Sequence, residues 1–316
     1  MAMDEGSDAA GGTPARHSTR GLLLRILGAV AVVIGAILIK DAVLDGGVES
    51  QATAGSRVID WRVESELLGE ELPVSVVIPP GARDGRRSLL VFLHGRGDDH
   101  ETYLEEEMFD ALDRQGGRAP VVAFPRGGPD SYWHDREDGE WGSYVTDELV
   151  PRLVRRFEIE PERIAIGGIS MGGFGAFDIA ARQPGTFCAV GGHSPAVWLD
   201  ASATAPGAFD DEQDFAEHDV IEEVGPPSSP LDGKRFWIDV GAADPFAEAD
   251  AELAEQLIDG GAKGRLFEGE GGHEAEYWSS NWRRYMHFYA RALKRCQQEA
   301  AAEAEGDEGT ERNAEG

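Results

Sequence analysis

The sequence predicts an α/β fold in which a mostly parallel sheet is covered by helices on both faces. Short apolar runs of strand length alternate with helical patterns along most of the 316 residues, which is the order expected of βα units. Runs such as LLVFL at 89–93 are apolar without alternation, as strands buried on both faces are. A hydrophobic content of 41%, with seven Trp and thirteen Phe, supplies a sizeable core.

The predicted elements follow one another regularly along the chain. Residues 58–63 and 73–78 predict a leading antiparallel pair, since apolar and polar residues alternate at the start of the second run. The later strands are predicted at 89–93, 121–124, 164–168, 187–191, 236–240 and 265–267. The helices are predicted at 145–157, from the turn near 170 to 182, at 248–260 and at 276–296.

An apolar segment near the N-terminus predicts a membrane anchor. Residues 21–39 are apolar apart from Arg25, and a helix of this length spans about 28 Å, close to the hydrocarbon thickness of a bilayer. Basic residues precede the segment and acidic residues follow it, which predicts a cytoplasmic N-terminus and an extracytoplasmic domain. A cleaved signal peptide is the alternative, although the small residues at 52–54 lie far from the apolar run; the domain would then be secreted.

Composition divides the chain into segments. We predict a disordered tail at 1–20, the anchor at 21–39, a linker at 40–55, an α/β domain at 56–296 and an acidic disordered tail at 297–316. An insertion at 199–234 separates two strands, and we expect it to flank the site at the carboxyl edge of the sheet. Within it, His218 is surrounded in sequence by acidic residues, namely Asp211, Asp214 and Asp219. A solvated acidic face is favoured over a metal site there, because the spacing of the ligands is not distinctive.

Charge and cysteine content limit the partners. The formal net charge of −30 argues against nucleic acid and against anionic lipid surfaces. Cys188 and Cys296 are the two cysteines; Cys188 lies in an apolar run and is predicted to be a small buried side chain, with no disulfide framework. We expect neither a cofactor nor a metal.

One serine lies in a strand–turn–helix pattern. Gly168-Ile169-Ser170-Met171-Gly172 fits G-x-S-x-G, the turn that presents a nucleophilic serine above an α/β sheet. Its glycines leave room for tightly folded main chain, and the N–H groups of the helix point toward a developing oxyanion. The pattern alone is weak because 41 residues are glycine, so a glycine-rich turn with an N-cap serine is the alternative.

A nucleophilic serine needs an imidazole and a carboxylate, which follow it in the chain in this kind of sheet. Asp244 comes just after the strand at 236–240 and is favoured as the acid over Asp239, which lies inside that strand. His273 follows Gly271-Gly272 in the loop after the last strand and is the predicted base.

Three other histidines compete for the role of base, and two backbone groups are candidate oxyanion donors. His94 follows the third strand in LHGRG, where an oxyanion-hole donor is expected. The N–H groups of Arg96 and Met171 are the candidate donors, and His94 is interpreted as structural. His134 stays a rival, and His193 is interpreted as packing near the site.

Six segments of the chain, in order, resemble one family. They are LLVFLHGRGDD at 89–99, FPRGGPDSYWHD at 124–135, DELVPRLVRRF at 147–157, IAIGGISMGGFGAFDIAARQPGTFCAVGGHSP at 164–195, GAADPF at 241–246 and GGHEAEYW at 271–278. They run from residue 89 to residue 278 within the predicted domain at 56–296. They resemble the esterase branch of the α/β-hydrolases, which includes esterase D (S-formylglutathione hydrolase), feruloyl esterases and the antigen 85 mycolyltransferases.

The resemblance implies the α/β-hydrolase fold and a catalytic triad of Ser170, Asp244 and His273, with the two N–H groups named above as the oxyanion hole. It also implies Tyr132 and Trp133 as substrate-pocket wall, with ordinary core packing as the alternative. We therefore predict a serine hydrolase that cleaves a small-molecule or envelope ester through an acyl-enzyme. An acyltransferase of the mycolyltransferase type and a non-catalytic binding module on the same fold are the alternatives.

Overall fold

The computed structural model describes residues 53–80 and 87–314, with side chains to residue 302. The predicted tail at 1–20, the predicted anchor at 21–39 and all but the end of the linker therefore lie outside the described residues. Within the part that is described, no helix has both the length and the apolar character needed to cross a membrane.

Among the residues that the structure describes, eight strands form one sheet and two short strands form a separate ribbon. The strands are β1 (Arg57–Ser65), β2 (Glu70–Ile78), β3 (Arg87–Leu93), β4 (Val121–Pro125), β5 (Asp135–Arg136), β6 (Gly139–Glu140), β7 (Ile159–Ile169), β8 (Ala189–His193), β9 (Arg235–Gly241) and β10 (Lys263–Gly269). The sheet has the order β1-β2-β4-β3-β7-β8-β9-β10, while β5 and β6 pair with each other. Strand β2 is antiparallel to both its neighbours, and the six strands from β4 to β10 are parallel. The leading antiparallel pair and the mostly parallel sheet are thus as predicted.

Helices cover both faces of this sheet. They are α1 (Glu106–Asp113), α2 (Trp141–Ser143), α3 (Val150–Phe157), α4 (Met171–Arg182), α5 (Glu212–Glu217), α6 (Val220–Glu223), α7 (Ala247–Asp259) and α8 (Ala275–Ala314). The continuous apolar run of β3 supplies both layers: Leu89, Val91 and Leu93 belong to the core under α3, α4 and α7, whereas Leu90 and Phe92 belong to the core under α1 and α8. Side chains alternate across a strand, so a strand buried on both faces must be apolar throughout.

The structure differs from the predicted elements at two helices. The predicted helix at 145–157 is divided into a π-helical stretch, Tyr144–Leu149, and α3. Helix α8 continues to Ala314, past the predicted end of the helix at residue 296 and into the predicted acidic tail. Alanine and glutamate dominate there, and both have high helix propensity.

A disulfide joins Cys188 to Cys296, which contradicts the prediction that the cysteines imply none. Cys188 directly precedes β8 and Cys296 lies on α8, and their Cα atoms are 6.2 Å apart, a separation that a disulfide spans. The two residues are separated by 108 positions in the sequence. Only the packing of α8 against the sheet brings them together.

Breaking this disulfide is expected to destabilise the fold by about 4–5 kcal/mol, because it closes a loop of on the order of 100 residues in the unfolded chain. Urea unfolding of the oxidised protein, the reduced protein and a Cys188→Ser/Cys296→Ser variant measures the loss. A urea midpoint that is the same in the reduced protein and in the variant as in the oxidised protein would contradict the expectation.

Candidate active site

Ser170 lies in a strained turn between β7 and α4. Its φ of 54° and ψ of −116° are rare for a residue with a side chain, and such strain concentrates at functional sites. The flanking glycines explain how the turn is built. A Cβ on Gly168 would lie 2.4 Å from the carbonyl of Gly172, and one on Gly172 would lie 2.1 Å from the carbonyl oxygen of Leu93. The backbones of β3, β7 and α4 therefore meet where no other residue type fits.

The structure brings together the three residues predicted as a triad. Ser170 Oγ lies 2.8 Å from His273 Nε2, and His273 Nδ1 lies 2.9 Å from Asp244 Oδ2. The Asp244 side chain is fully buried, and its other oxygen accepts a 2.9 Å hydrogen bond from the N–H of Phe246. An imidazole that donates through Nδ1 to a carboxylate presents Nε2 as an acceptor for the serine hydroxyl. This arrangement is the one that base-assisted attack by a serine requires.

The rings of Phe246 and Trp278 hold the imidazole of His273 from two sides. Their centroids lie 5.1 and 5.0 Å from that of His273. Trp278 is itself anchored by a 3.1 Å hydrogen bond from its indole N–H to Ser194 Oγ. Packing therefore fixes the base in the orientation that the carboxylate selects.

The loop after β3 lies directly against the first turn of α4. Met171 is the first residue of α4, and the first N–H groups of a helix lack intrahelical acceptors. Gly172 touches the carbonyls of Leu93 and His94, so the loop that carries Arg96 begins beside the N-terminus of α4. The two N–H groups predicted as the oxyanion hole thus belong to segments in backbone contact.

His94 holds this loop in place and does not contact the serine. Its Nε2 accepts a 3.0 Å hydrogen bond from the N–H of Gly127, and its carbonyl accepts one of 3.1 Å from the indole of Trp133. Burial lowers the pKa of His94, with nearby carboxylates such as Asp98 opposing the shift. These contacts agree with the structural interpretation of this histidine.

Tyr132 and Trp133 both have positive φ, of 50° and 61°, and they lie behind the site. Trp133 has no exposed surface and packs against Gly127 and Gly175 so closely that a Cβ on either would clash. This burial agrees with core packing, the alternative for this residue, and its predicted place in the pocket wall stays a prediction. Tyr132 is 3% exposed and packs in an aromatic cluster with Phe174, Trp198 and Phe209. Its predicted place in the pocket wall stays a prediction.

The alternative acid, Asp239, serves a buried network instead. It lies 2.6 Å from His193 Nδ1 and accepts hydrogen bonds from the Trp237 indole at 3.0 Å and the Tyr285 hydroxyl at 2.9 Å. His193 Nε2 lies 3.0 Å from the Tyr289 hydroxyl. The carbonyl of His193 accepts a hydrogen bond from the N–H of Ser170. This network, which sequence reasoning missed, therefore supports the turn at residues 168–172, here called the elbow. It ties β8 and β9 to α8.

Asp250, on α7, is a buried carboxyl group that the sequence did not single out. It is fully buried, and neither of its oxygens has a hydrogen-bond partner among the described residues. Burial raises the pKa of Asp250 well above its ordinary value, and the charges of Asp244 and Asp239 raise it further. The native protein therefore keeps this group protonated at a pH where the unfolded chain releases the proton.

The stability of the protein is expected to fall with rising pH because of Asp250. Above the unfolded pKa of about 4, the native state holds one proton more than the unfolded state, so the free energy of unfolding falls by about 1.4 kcal/mol per pH unit until the native pKa is reached. Urea unfolding at several pH values from 5 to 8, for the wild type and Asp250→Asn, checks this. The free energy of unfolding of Asp250→Asn is expected to fall less with rising pH than that of the wild type. Identical pH slopes in the two proteins would rule out the contribution of Asp250.

The comparisons with known proteins agree with this geometry. A family model described as "Putative esterase" matches residues 65–285. S-formylglutathione hydrolase of Paracoccus denitrificans is 26% identical over 216 residues, covering 60% of this chain and 75% of that protein. The mycolyltransferase Ag85A of Mycobacterium gordonae is 26% identical over 250 residues, covering 65% and 73%. The match to S-formylglutathione hydrolase of Mus musculus, at 27% identity, covers 50% of that protein.

Solved structures share the fold. A ferulic acid esterase superposes with a TM-score of 0.66 at 20% identity, over 75% of this chain and 99% of that one. At this identity the likeness establishes the fold alone, which is that of the α/β-hydrolases. The "Putative esterase" family model matches residues 65–285, which is more than half of the chain. The chain therefore belongs to this family of esterases, enzymes that hydrolyse carboxylic esters.

Proposed function

We propose that the protein is a serine esterase in which Ser170, His273 and Asp244 form the catalytic triad and an acyl-enzyme is the intermediate. The observation that carries the proposal is the continuous set of hydrogen-bond distances from Ser170 Oγ through both nitrogens of His273 to Asp244. Ser170 lies on a strained turn that Gly168 and Gly172 allow to form. A non-catalytic module on this fold would have no need of that alignment.

Each side chain has one task in the reaction. Ser170 Oγ attacks the ester carbonyl carbon while His273 Nε2 takes its proton, and the buried carboxylate of Asp244 stabilises the imidazolium that forms. His273 then returns the proton to the departing alcohol, which leaves Ser170 acylated. A water molecule, deprotonated by His273, attacks the acyl carbon; the bond to Ser170 Oγ breaks, His273 returns the proton to Ser170 Oγ, and the carboxylic acid leaves.

The developing oxyanion is expected to bind the N–H groups of Met171 and Arg96. The contact of Gly172 with the carbonyls of the β3 end supports this, because it places the two segments side by side. An oxyanion donor typically contributes about 3 kcal/mol to transition-state stabilisation. The Arg96 side chain turns away toward the insertion, where it donates to the carbonyl of Pro206 at 3.1 Å, so its backbone carries the role.

Acyl transfer is the second candidate, and the similarity to a mycolyltransferase favours it. The same acyl-enzyme yields transfer when an alcohol, rather than water, attacks it. Product analysis with and without added sugar or lipid alcohols separates the two: an esterase yields free acid in both cases, whereas a transferase yields a new ester.

We further propose that the domain acts outside the cytoplasmic membrane, anchored through residues 21–39, on a small-molecule or envelope ester. The disulfide supports an oxidising compartment. Fractionating cells that express the full chain or a chain lacking residues 1–40 tests the anchor. Recovery of both chains in the same fraction would count against it.

Labelling with a fluorophosphonate, which phosphonylates an activated serine, tests the nucleophile. The wild type is expected to gain one adduct, located on Ser170, and Ser170→Ala is expected to gain none. Ser280→Ala is the matched control, because the hydroxyl of Ser280 on α8 donates to the carbonyl of Tyr277 rather than to an imidazole. Labelling that persists in Ser170→Ala would refute the proposed role.

A further inference from the structure

Three potential metal ligands converge beside the insertion, away from the triad. His134 directly precedes β5, Asp214 lies on α5, and His218 is the residue that ends α5. One ligand atom from each lies within 4.8 Å of the others. The sequence favoured a solvated acidic face around His218, but the structure leaves this residue only 7% exposed. His134 lies 84 positions before His218 in the sequence, and only the fold brings the two histidines together.

The distances within the cluster suit first-shell ligands of one ion. Asp214 Oδ2 lies 3.1 Å from His134 Nε2, and Asp214 Oδ1 lies 3.8 Å from His218 Nε2. Ligands bound at about 2.0–2.2 Å in a tetrahedron are a little over 3 Å apart. The imidazole rings of His134 and His218 have centroids 4.5 Å apart. Small side-chain adjustments therefore suffice for all three to bind one cation.

A carboxylate behind His218 orients that histidine. Asp178, on α4, lies 2.8 Å from His218 Nδ1 and is almost fully buried. Arg182 donates to the same oxygen at 3.0 Å and holds the carboxylate in place. A histidine that binds a metal through one nitrogen commonly donates through the other to a carboxylate. This geometry aims Nε2 of His218 toward Asp214.

His134 presents one ring nitrogen to the cluster. Its side chain is completely buried, and Nε2 is the nitrogen that faces Asp214, at 3.1 Å from Oδ2. The cation would therefore bind this nitrogen, which the surrounding fold holds in place.

We propose that His134, Asp214 and His218 bind Zn²⁺, with water as the fourth ligand. Two imidazoles and one carboxylate are a ligand set typical of zinc. A cavity of about 280 Å³ borders the cluster at His218 and Asp178, which are among its lining residues.

The ion would hold together three segments that are far apart in the sequence. Of the three ligands, His134 belongs to the loop before β5, and Asp214 and His218 belong to the insertion. Asp178, which orients His218, belongs to α4. Phe209 of the insertion stacks on Tyr132 at 6.4 Å and on His134 at 5.2 Å. Zinc would therefore stabilise the insertion against the aromatic cluster behind the elbow. This inference does not depend on the proposed triad.

The test uses the full chain, purified without a polyhistidine tag and freed of metal by a chelator. Co²⁺ replaces Zn²⁺ as a visible probe, and we expect d–d bands of four-coordinate Co²⁺ at one equivalent, abolished by competing Zn²⁺. Zinc at about 100 times its dissociation constant is expected to raise Tm by roughly 5–10 °C. The variants are His134→Gln, Asp214→Asn and His218→Gln, each expected to lose at least about 100-fold in affinity, and Asp178→Asn, expected to lose about 10–100-fold.

His287→Gln is the matched control, because His287 is an exposed histidine on α8 outside the cluster; it is expected to bind like the wild type. Binding by the wild type that all four cluster variants retain would overturn the proposal. So would the absence of both the Co²⁺ bands and the Tm rise in the wild type, a result that stands even if a variant fails to fold. Fluorophosphonate labelling of Ser170 reports separately on the triad, so failure of one proposal is distinguishable from failure of the other.

Discussion

Replacing Ser170 with alanine, His273 with alanine, or both together is expected to lower kcat for ester hydrolysis by the same factor, on the order of 10⁶. The nucleophile and the base act as a unit across one hydrogen-bond distance of 2.8 Å. Without His273 the hydroxyl of Ser170 has no base to take its proton, and without Ser170 the imidazole of His273 has no nucleophile to activate. The losses are therefore not additive, and the double variant is expected to be no slower than the single ones.

Initial rates with an activated ester, measured for the three variants and the wild type, complete this double-mutant cycle. Circular dichroism and urea unfolding confirm that each variant is folded, which the partial exposure of both side chains favours. Losses that multiply in the double variant would show that the two residues act independently, contrary to the proposed triad.

Asp244→Asn and Asp239→Asn are expected to affect different properties of the enzyme. Asparagine at 244 keeps the size of the side chain but offers an amide to His273 Nδ1, which favours the wrong tautomer of the imidazole, so kcat is expected to fall by about 10⁴. Asparagine at 239 instead disrupts the buried network with His193 and Tyr285. Leaving a buried hydrogen-bonding group of this network without its partner costs about 1–3 kcal/mol of folding stability.

The same two measurements, kcat and the free energy of unfolding, are made for both variants. Asp244→Asn is expected to unfold at nearly the wild-type urea concentration, because the N–H of Phe246 still finds an oxygen acceptor at residue 244. Asp239→Asn, where it folds, is expected to retain far more activity than Asp244→Asn. The opposite ranking of activities would assign the acid to Asp239 and contradict the proposed triad.

Local sequence determined most of the sheet and the order of the site residues. Strand β3 is apolar at consecutive positions because both of its faces are covered, and a single sequence shows such a run directly. The elbow is equally local. Gly168 and Gly172 are required by contacts within a few ångströms, and both fall within five residues. Asp244 and His273 are recognisable because each follows a strand in a short loop.

Long-range contacts decided the rest. Sequence reasoning weighed Asp239 against Asp244 by position alone, and the structure separates them because Asp239 faces His193 and α8 while Asp244 faces His273. The disulfide, the buried place of Trp133 and the meeting of His134 with His218 each join residues tens of positions apart. No local pattern records which distant side chain fills a given space. The sequence by itself therefore determined which chemistry the chain carries, and the tertiary packing determined which groups can take part in it.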